Sequence, residues 1–244
     1  MIVLFTDFGL CGPYTGQVKA VLAREAPGTE IIDLFADAPA YDSQASAYLL
    51  AAYIGEFAPG TVFLCVVDPG VGSDRAPFVV HADGKWFVGP ENGLFELVIR
   101  RAREQVRCWR IDRLPSRLSA TFHGRDLFAP IAAQLARGET PNAKASLAID
   151  DVRRCGWPDD LARIIYIDVY GNALSGMRAV NVPASARVVV AGARVRRART
   201  FSDVPEGEAF WYENANGLLE IAVNRGRAAD LASLSIGMPI AIEP

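Results

Sequence analysis

Asp68 stands where an apolar stretch, Thr61 to Val67, runs into the turn of VVDPGVGSDR (66–75), with an arginine, Arg75, seven positions on. A glycine-rich turn leaving a strand suggests a phosphate cradle. However, a P-loop closes on Gly-Lys-Ser/Thr and a dinucleotide fingerprint reads G-x-G-x-x-G, and neither is present. Two further polar residues share the placement of Asp68: Asp7 ends the apolar run 2–6, and Asn92 follows the run 86–89. In an open parallel sheet, ligands bind beyond the carboxyl ends of the strands. Singly, each of the three reads as a turn residue bonding its own backbone; together they point to a site. A second cluster, SATFHGRDLFAP (119–130), sets His123, Arg125 and Asp126 within four residues ahead of an apolar helix. Asp126 fits the N-cap of that helix, and Gly124 permits close backbone approach beside the one histidine with polar company. His81, in a hairpin strand, reads as structural.

The elements that must position these residues alternate. IVLFT (2–6), GTEIIDLF (28–35) and TVFLCVV (61–67) read as buried strands, and Tyr14 to Glu25 and Ser43 to Phe57 as helices. PFVVHADGKWFVGP (77–90) reads as a strand pair turning at Asp83-Gly84, Gly93 to Arg103 as a helix, and Phe128 to Arg137 as a helix closed by Gly138. Continuous apolar strands separated by helices predict an α/β, Rossmann-like, largely parallel sheet with helices on both faces over residues 1–157. Past Cys155-Gly-Trp-Pro the texture changes to short strand runs broken by glycine, proline and Asn-Gly turns, with no convincing helix. Residues 163–244 therefore predict a small antiparallel β-barrel or sandwich, and Asn216-Gly217 a hairpin within it.

Composition removes several classes of function. The 244 residues carry 25 Lys+Arg against 28 Asp+Glu, a net charge of −3, which argues against a nucleic-acid binder. The local run Arg194, Arg196, Arg197 and Arg199 reads as the solvated face of a strand. MIVLFTDFG has no basic leader and no stretch approaches a membrane-spanning length, so a soluble, cytoplasmic protein is expected. Four dispersed cysteines without a C-x-x-C, and only two histidines, argue for reduced thiols and no structural metal.

TDFG (6–9), VVDPGVG with Arg75, GPENGL (89–94), TFHGRDLFAP (121–130), Asp168 with Tyr170-Gly171-Asn172, and EIAVN (220–224), in that order, resemble the S-adenosyl-L-methionine (SAM) hydroxide adenosyltransferase family. The halogenating enzymes that use the same substrate are its relatives. The resemblance implies two domains, the second of them a β-barrel, a homotrimer with the substrate between subunits, no cofactor, and hydrolysis of SAM to adenosine and L-methionine. It places the reaction on Asp68, Arg75 and His123. Guanidinium stays protonated at any useful pH, so Arg75 is no base. Its expected tasks are to hold Asp68 and to stabilise developing hydroxide, with the proton going to Asp68 or His123. The resemblance assigns substrate contacts to Asp7, Tyr41, Asn92, Phe122, Gly124, Asp168, Asn172, Phe201, Asn214, Val223 and Arg225. The chain departs from the family where Gly12 replaces a ribose-gripping aspartate, Ala36 a histidine and Gly176 an asparagine, and where D-N-G becomes Glu91-Asn92-Gly93. Two other functions remain in play: a halide-using adenosyl transferase, for which relatives place tyrosine at position 68, and a module that binds adenosine or SAM without turnover.

Overall fold

The computed structural model describes residues 1–112, 114–141, 146–231 and 234–244. The chain divides into two compact units, Met1–Gly156 and Trp157–Pro244.

In the first unit β1 (Ile2–Thr6), β2 (Ile31–Phe35), β3 (Val62–Val66), β4 (Pro77–Ala82), β5 (Lys85–Pro90), β6 (Arg107–Arg110) and β7 (Ser146–Leu147) form one sheet in the order β2-β1-β3-β5-β4-β6-β7. The β2-β1-β3-β5 half is parallel. The other half is not: β4 pairs antiparallel with β5 and β6, and β6 with β7. The sheet is therefore mixed rather than largely parallel. The cause is the Asp83-Gly84 turn, since a two-residue connection reverses the chain and only a long crossover returns it parallel. Asp83 and Gly84 both take positive φ, 47° and 71°, as such a turn demands. β6 and β7 then extend the antiparallel edge; β6 is four residues long, and its apolar partners lie on β4, out of reach of a local reading.

Helices α1 (Tyr14–Glu25), α2 (Ser43–Tyr53), α3 (Glu96–Arg101), α4 (Ala129–Ala136) and α5 (Ile149–Val152) complete this unit. Val18 and Leu22 of α1 and Ala129 and Ala132 of α4 pack with Ile2, Leu4, Val62 and Leu64. The alternate residues Val3, Phe5 and Phe63 are as fully buried. Phe5 meets Phe35, which meets Tyr53 of α2, so the central strands are covered on both faces. Two helices are shorter than the sequence predicts: α2 ends at Tyr53 in a 3₁₀ turn (Ile54–Glu56), and α3 begins only at Glu96. Glu96 is buried, and its carboxylate takes bonds from Arg100, Arg153 and the Arg154 N–H, tying residues 153–154 to α3.

The second unit holds β8 (Leu161–Ile167), β9 (Ala173–Arg178), β10 (Arg187–Val190), β11 (Ala193–Arg197), β12 (Ala209–Glu213), β13 (Leu218–Val223) and β14 (Ala241–Glu243), in the order β14-β10-β11-β12-β13-β9-β8. All neighbours are antiparallel except β11 and β12, a parallel pair joined through the 3₁₀ turn at Phe201–Asp203. Ile164 N–H donates to Met238 O and Ile240 N–H to Ala162 O, so the segment leading into β14 also bonds β8. Gly176 on β9 lies where an added Cβ would come within 2.7 Å of Leu161 Cβ, so a side chain there would push β8 away. The arginines of β11 point into ion pairs: Arg194 with Glu243, Arg196 with Glu208, and Arg197 with Glu213.

Candidate active site

Residues at the carboxyl ends of β1 and β3 and the loop entering α4 surround one cavity of about 370 Å³. Asp7, Asp68 and His123 supply its titratable groups; Phe8, Tyr14, Tyr41 and Phe122 supply aromatic wall, with Val66, Val71, Thr121 and Gly124 between them. Asp7 extends β1, donating its N–H to Val66 O, while its Oδ2 accepts the Tyr41 N–H at 3.2 Å. Tyr41 takes φ 62°, unusual for a bulky residue, and the residue is 80% exposed. Burial raises the Asp7 carboxyl above the usual range, with the bond from Tyr41 N–H opposing the shift and the charge of Asp68 adding to it.

Asp68 meets Arg75 across the tight Pro69–Asp74 loop. Arg75 Nε lies 2.9 Å from both Asp68 oxygens, and Nη2 bonds Oδ2 as well. The same Nη2 lies 2.9 Å from His123 Nδ1, and the guanidinium rests over the Phe128 ring at 5.0 Å. The side chains of Arg75 and Asp68 are only 9% and 5% exposed. Arg75 is a donor throughout, so His123 Nδ1 accepts and a neutral His123 carries its proton on Nε2. Burial, and then the Arg75 charge, hold His123 below the ordinary imidazole value, which favours that neutral form.

Glycines let the two loops meet. Gly72, at φ 80°, passes so close to the 119–123 segment that a Cβ would lie 2.6 Å from Ala120 O. At Gly124 a Cβ would reach within 2.9 Å of the Phe8 ring. Gly124–Phe128 forms one π-helical turn, with Ala129 N–H bonded to Gly124 O, ahead of α4. Asp126 lies inside that turn instead of capping a helix, and takes the Ser119 N–H on Oδ2. Asn92 is drawn to the same region without lining the cavity: its Nδ2 donates to Val67 O at 2.8 Å and so anchors the residue before Asp68. His81 lies against Trp86 in the β4–β5 pair, away from the cavity. Gly12 takes φ 113°, a conformation that suits glycine, and is not among the lining residues.

Asp168, Asn172, Phe201, Asn214, Val223 and Arg225 belong to the second unit. Asp168 Oδ1 accepts the N–H groups of Tyr170 and Asn172, and Oδ2 the Asn172 side chain, so the carboxylate shapes its own β8–β9 turn. Asn214 does likewise for the β12–β13 hairpin, accepting from Asn216 and Leu218 and donating to Glu220. Phe201 packs edge-on against Phe210 and Tyr212. Val223 is buried, and Arg225, at φ 52°, pairs with Glu206 on the surface. The sequence reading gave no role to Phe8, Tyr14, Val71 and Thr121 in the cavity or to the buried Glu220, although all but Tyr14 lie within its quoted motifs, because which side chain of a motif faces a cavity is set by packing at a distance. Among the described residues no group of three or more His, Cys, Asp or Glu has the arrangement to hold a metal ion.

A mixed α/β unit carries a partly aromatic cavity whose wall includes Asp68 and His123, joined behind it by Arg75, an arrangement of the small-molecule enzyme class. Family models place it further: residues 2–145 match the SAM hydroxide adenosyltransferase N-terminal domain and residues 162–241 the C-terminal domain. The chain belongs to this family. It is similar to a protein of Thermus thermophilus named (R)-S-adenosyl-L-methionine hydrolase, 40% identical over 98% of both chains. A protein of the same name from Salinispora arenicola is 36% identical over 95% of this chain and 93% of its own. A crystal structure of an uncharacterized conserved protein from Thermotoga maritima superposes with a TM-score of 0.84 at 30% identity, each chain fully covered.

Proposed function

We propose that the protein hydrolyses S-adenosyl-L-methionine to adenosine and L-methionine. The observation that carries this is the Asp68–Arg75–His123 cluster, with Asp68 and His123 lining the cavity, in a chain whose relatives are named as hydrolases of the R sulfonium epimer. Water attacks C5′, the C5′–S bond breaks, and its electron pair passes to sulfur, leaving neutral methionine; the water proton goes to the enzyme. The sulfonium leaves without being protonated, so positioning and activating the water is the main task, and holding it at near-attack distance removes up to about 7–11 kcal/mol of barrier. His123 presents Nε2–H, a donor suited to orient the water and steady the forming hydroxide. Asp68 keeps lone pairs beyond those Arg75 occupies and takes the proton, a role that contributes roughly 10²–10⁴-fold. With the Asp68 charge balanced by Arg75, Asp7 supplies negative charge on the cavity wall, which attracts a sulfonium and repels a halide and so disfavours the halide-transfer alternative.

The reading extends to recognition and assembly. Asp7, Tyr41, Phe122 and Gly124 line the cavity and contact substrate; Asn92 assists from behind Val67. Asp168, Asn172, Phe201, Asn214, Val223 and Arg225 contribute adenine, ribose and amino-acid contacts, and the protein acts without a cofactor. The second unit closes into a β-barrel through the bonds of Ala162 and Ile164 to residues 238–240. The protein assembles as a homotrimer with the substrate between subunits; exposed Leu10, Tyr14 and Tyr41 in the first unit and Val169 and Tyr170 in the second are the apolar surface such an assembly covers. Four free cysteines suit a reducing, cytoplasmic setting, and among the described residues no helix is long and apolar enough to cross a membrane.

The test incubates purified protein with separated R and S epimers of SAM, without metal or halide, and follows both products by chromatography. Equimolar adenosine and methionine, abolished in Asp68→Asn, support the hydrolase. Stabilisation by SAM without turnover would replace it with a binding module. Light scattering reads the trimer directly.

A further inference from the structure

We propose that Arg125, which does not line the cavity, is a positioning residue that fixes the Phe122 ring and with it the apolar wall against which the sulfonium substrate rests. The inference builds on the proposed hydrolase activity. Four contacts converge on this guanidinium. Its Nε and Nη2 bond the two oxygens of Asp126 at 2.6 and 2.9 Å, and Nη1 bonds Gln17 Oε1 on α1 at 2.8 Å. Its flat face covers the Phe122 ring, Cζ to centroid 5.0 Å. Asp126 in turn accepts the Ser119 N–H, so the carboxylate held by the fork also closes the 119–126 loop.

Phe122 transmits the grip. Its ring meets Phe8 at 5.7 Å and Tyr14 at 5.4 Å, both edge-on, and all three rings line the cavity. The π-helical turn accounts for the geometry. Arg125 lies on a second groove with Val21, Arg24, Arg117, Asp126 and Pro130, while His123, two residues earlier, lines the active cavity. The Phe122 ring, covered by Arg125 and itself on the cavity wall, is thus the contact by which a residue outside the cavity bears on it. Only a planar fork satisfies Asp126, Gln17 and the ring face together, which a lysine ammonium does not.

The test is steady-state kinetics on SAM, with melting temperatures as the folding control. Arg125→Ala is expected to raise KM about tenfold with kcat within about threefold, because the wall shapes binding and the Asp68 cluster is left in place. Arg125→Lys is expected to restore little. In a Phe122→Leu background the same Arg125→Ala change is expected to have no further effect, as a double-mutant cycle requires of a residue acting through that ring. An unchanged KM, or an equal rise in the Phe122→Leu background, overturns the inference. Should Arg125→Ala not fold, Gln17→Leu removes one anchor: a rise in KM of about threefold supports the role and no rise overturns it. If the wild-type protein releases no adenosine, the hydrolase reading fails by itself, and the same ratios taken on the Kd for SAM decide Arg125. Absence of SAM binding overturns both.

Discussion

The two units hold similar polar residues and engage them differently. Around the cavity of the first unit, Asp68 and His123 both bond Arg75, brought together from two loops, and the two of them line the cavity. In the second unit, Asp168, Asn172 and Asn214 bond mainly the backbone and side chains of their own turns, and Asp160 clamps the start of β8 to Arg178 and Asn181. A buried ion pair is weak support for stability, since desolvating both charges offsets their attraction. Its presence in the first unit points to chemistry. A carboxylate that gathers backbone N–H groups at a turn is support for the fold, and any ligand it binds meets a group already oriented.

This contrast can be broken in five places, taken from the largest effect down. Asp68→Asn is expected to lower the hydrolysis rate by about 10³ or more, within the span general-base removal gives together with lost orientation. It should also destabilise the protein by about 3–5 kcal/mol, as Arg75 loses its charged partner in a buried place; full activity in Asp68→Asn would move the base elsewhere. Gly72→Val sets a β-branched side chain at a positive φ and against the Ala120 carbonyl and is expected to part the two loops, lowering kcat by about 10² and lowering the melting temperature as well. A rate within twofold of wild type would show that the loops need no such contact.

Acid tests separate the units more finely. Burial favours a raised Asp160 carboxyl, but the bonds from Arg178 and Asn181 outweigh it and hold Asp160 at about 2. Its folded value lies below its unfolded one, so the stability it confers is present above about pH 4 and is lost as pH falls toward 2. Asp160→Asn is expected to cost on the order of 1–2 kcal/mol at pH 7, after allowance for solvent screening, and to flatten this acid limb. His123 is likewise held below its usual value, so its neutral form is favoured on folding. Its contribution is complete above the unfolded value near about 6.5 and declines as pH falls through the lower folded value. Activity is expected to follow the same limb, and His123→Gln to remove it; a limb unchanged in His123→Gln would assign it to another group. The smallest effect belongs to the surface of the second unit: Arg194→Ala breaks a pair with Glu243 at the exposed β14–β10 edge and is expected to change stability by less than about 0.5 kcal/mol, read by denaturant unfolding.

Much of this was legible locally. The strands of the parallel half, the Asp83-Gly84 and Asn216-Gly217 turns, the change of texture past Cys155, and the placement of Asp7 and Asp68 at strand ends follow from apolar runs and turn residues alone. The ordered motifs identified the family. What sequence could not determine was contact at a distance. Whether a sheet strand runs parallel depends on where the chain re-enters, so the hairpin was read correctly and the mixed sheet it creates was missed. Asp126 was read as a cap because capping is a local rule, whereas its partner is Ser119 across a π-helical turn. The link between Asp68 and His123 through one nitrogen of Arg75, the close pass at Gly72 and the grip of Arg125 on Phe122 join residues of separate loops. Local propensity acts over a few residues, whereas a hydrogen bond or a ring contact is fixed only when packing brings its two ends within a few ångströms, and that was decided by the tertiary structure.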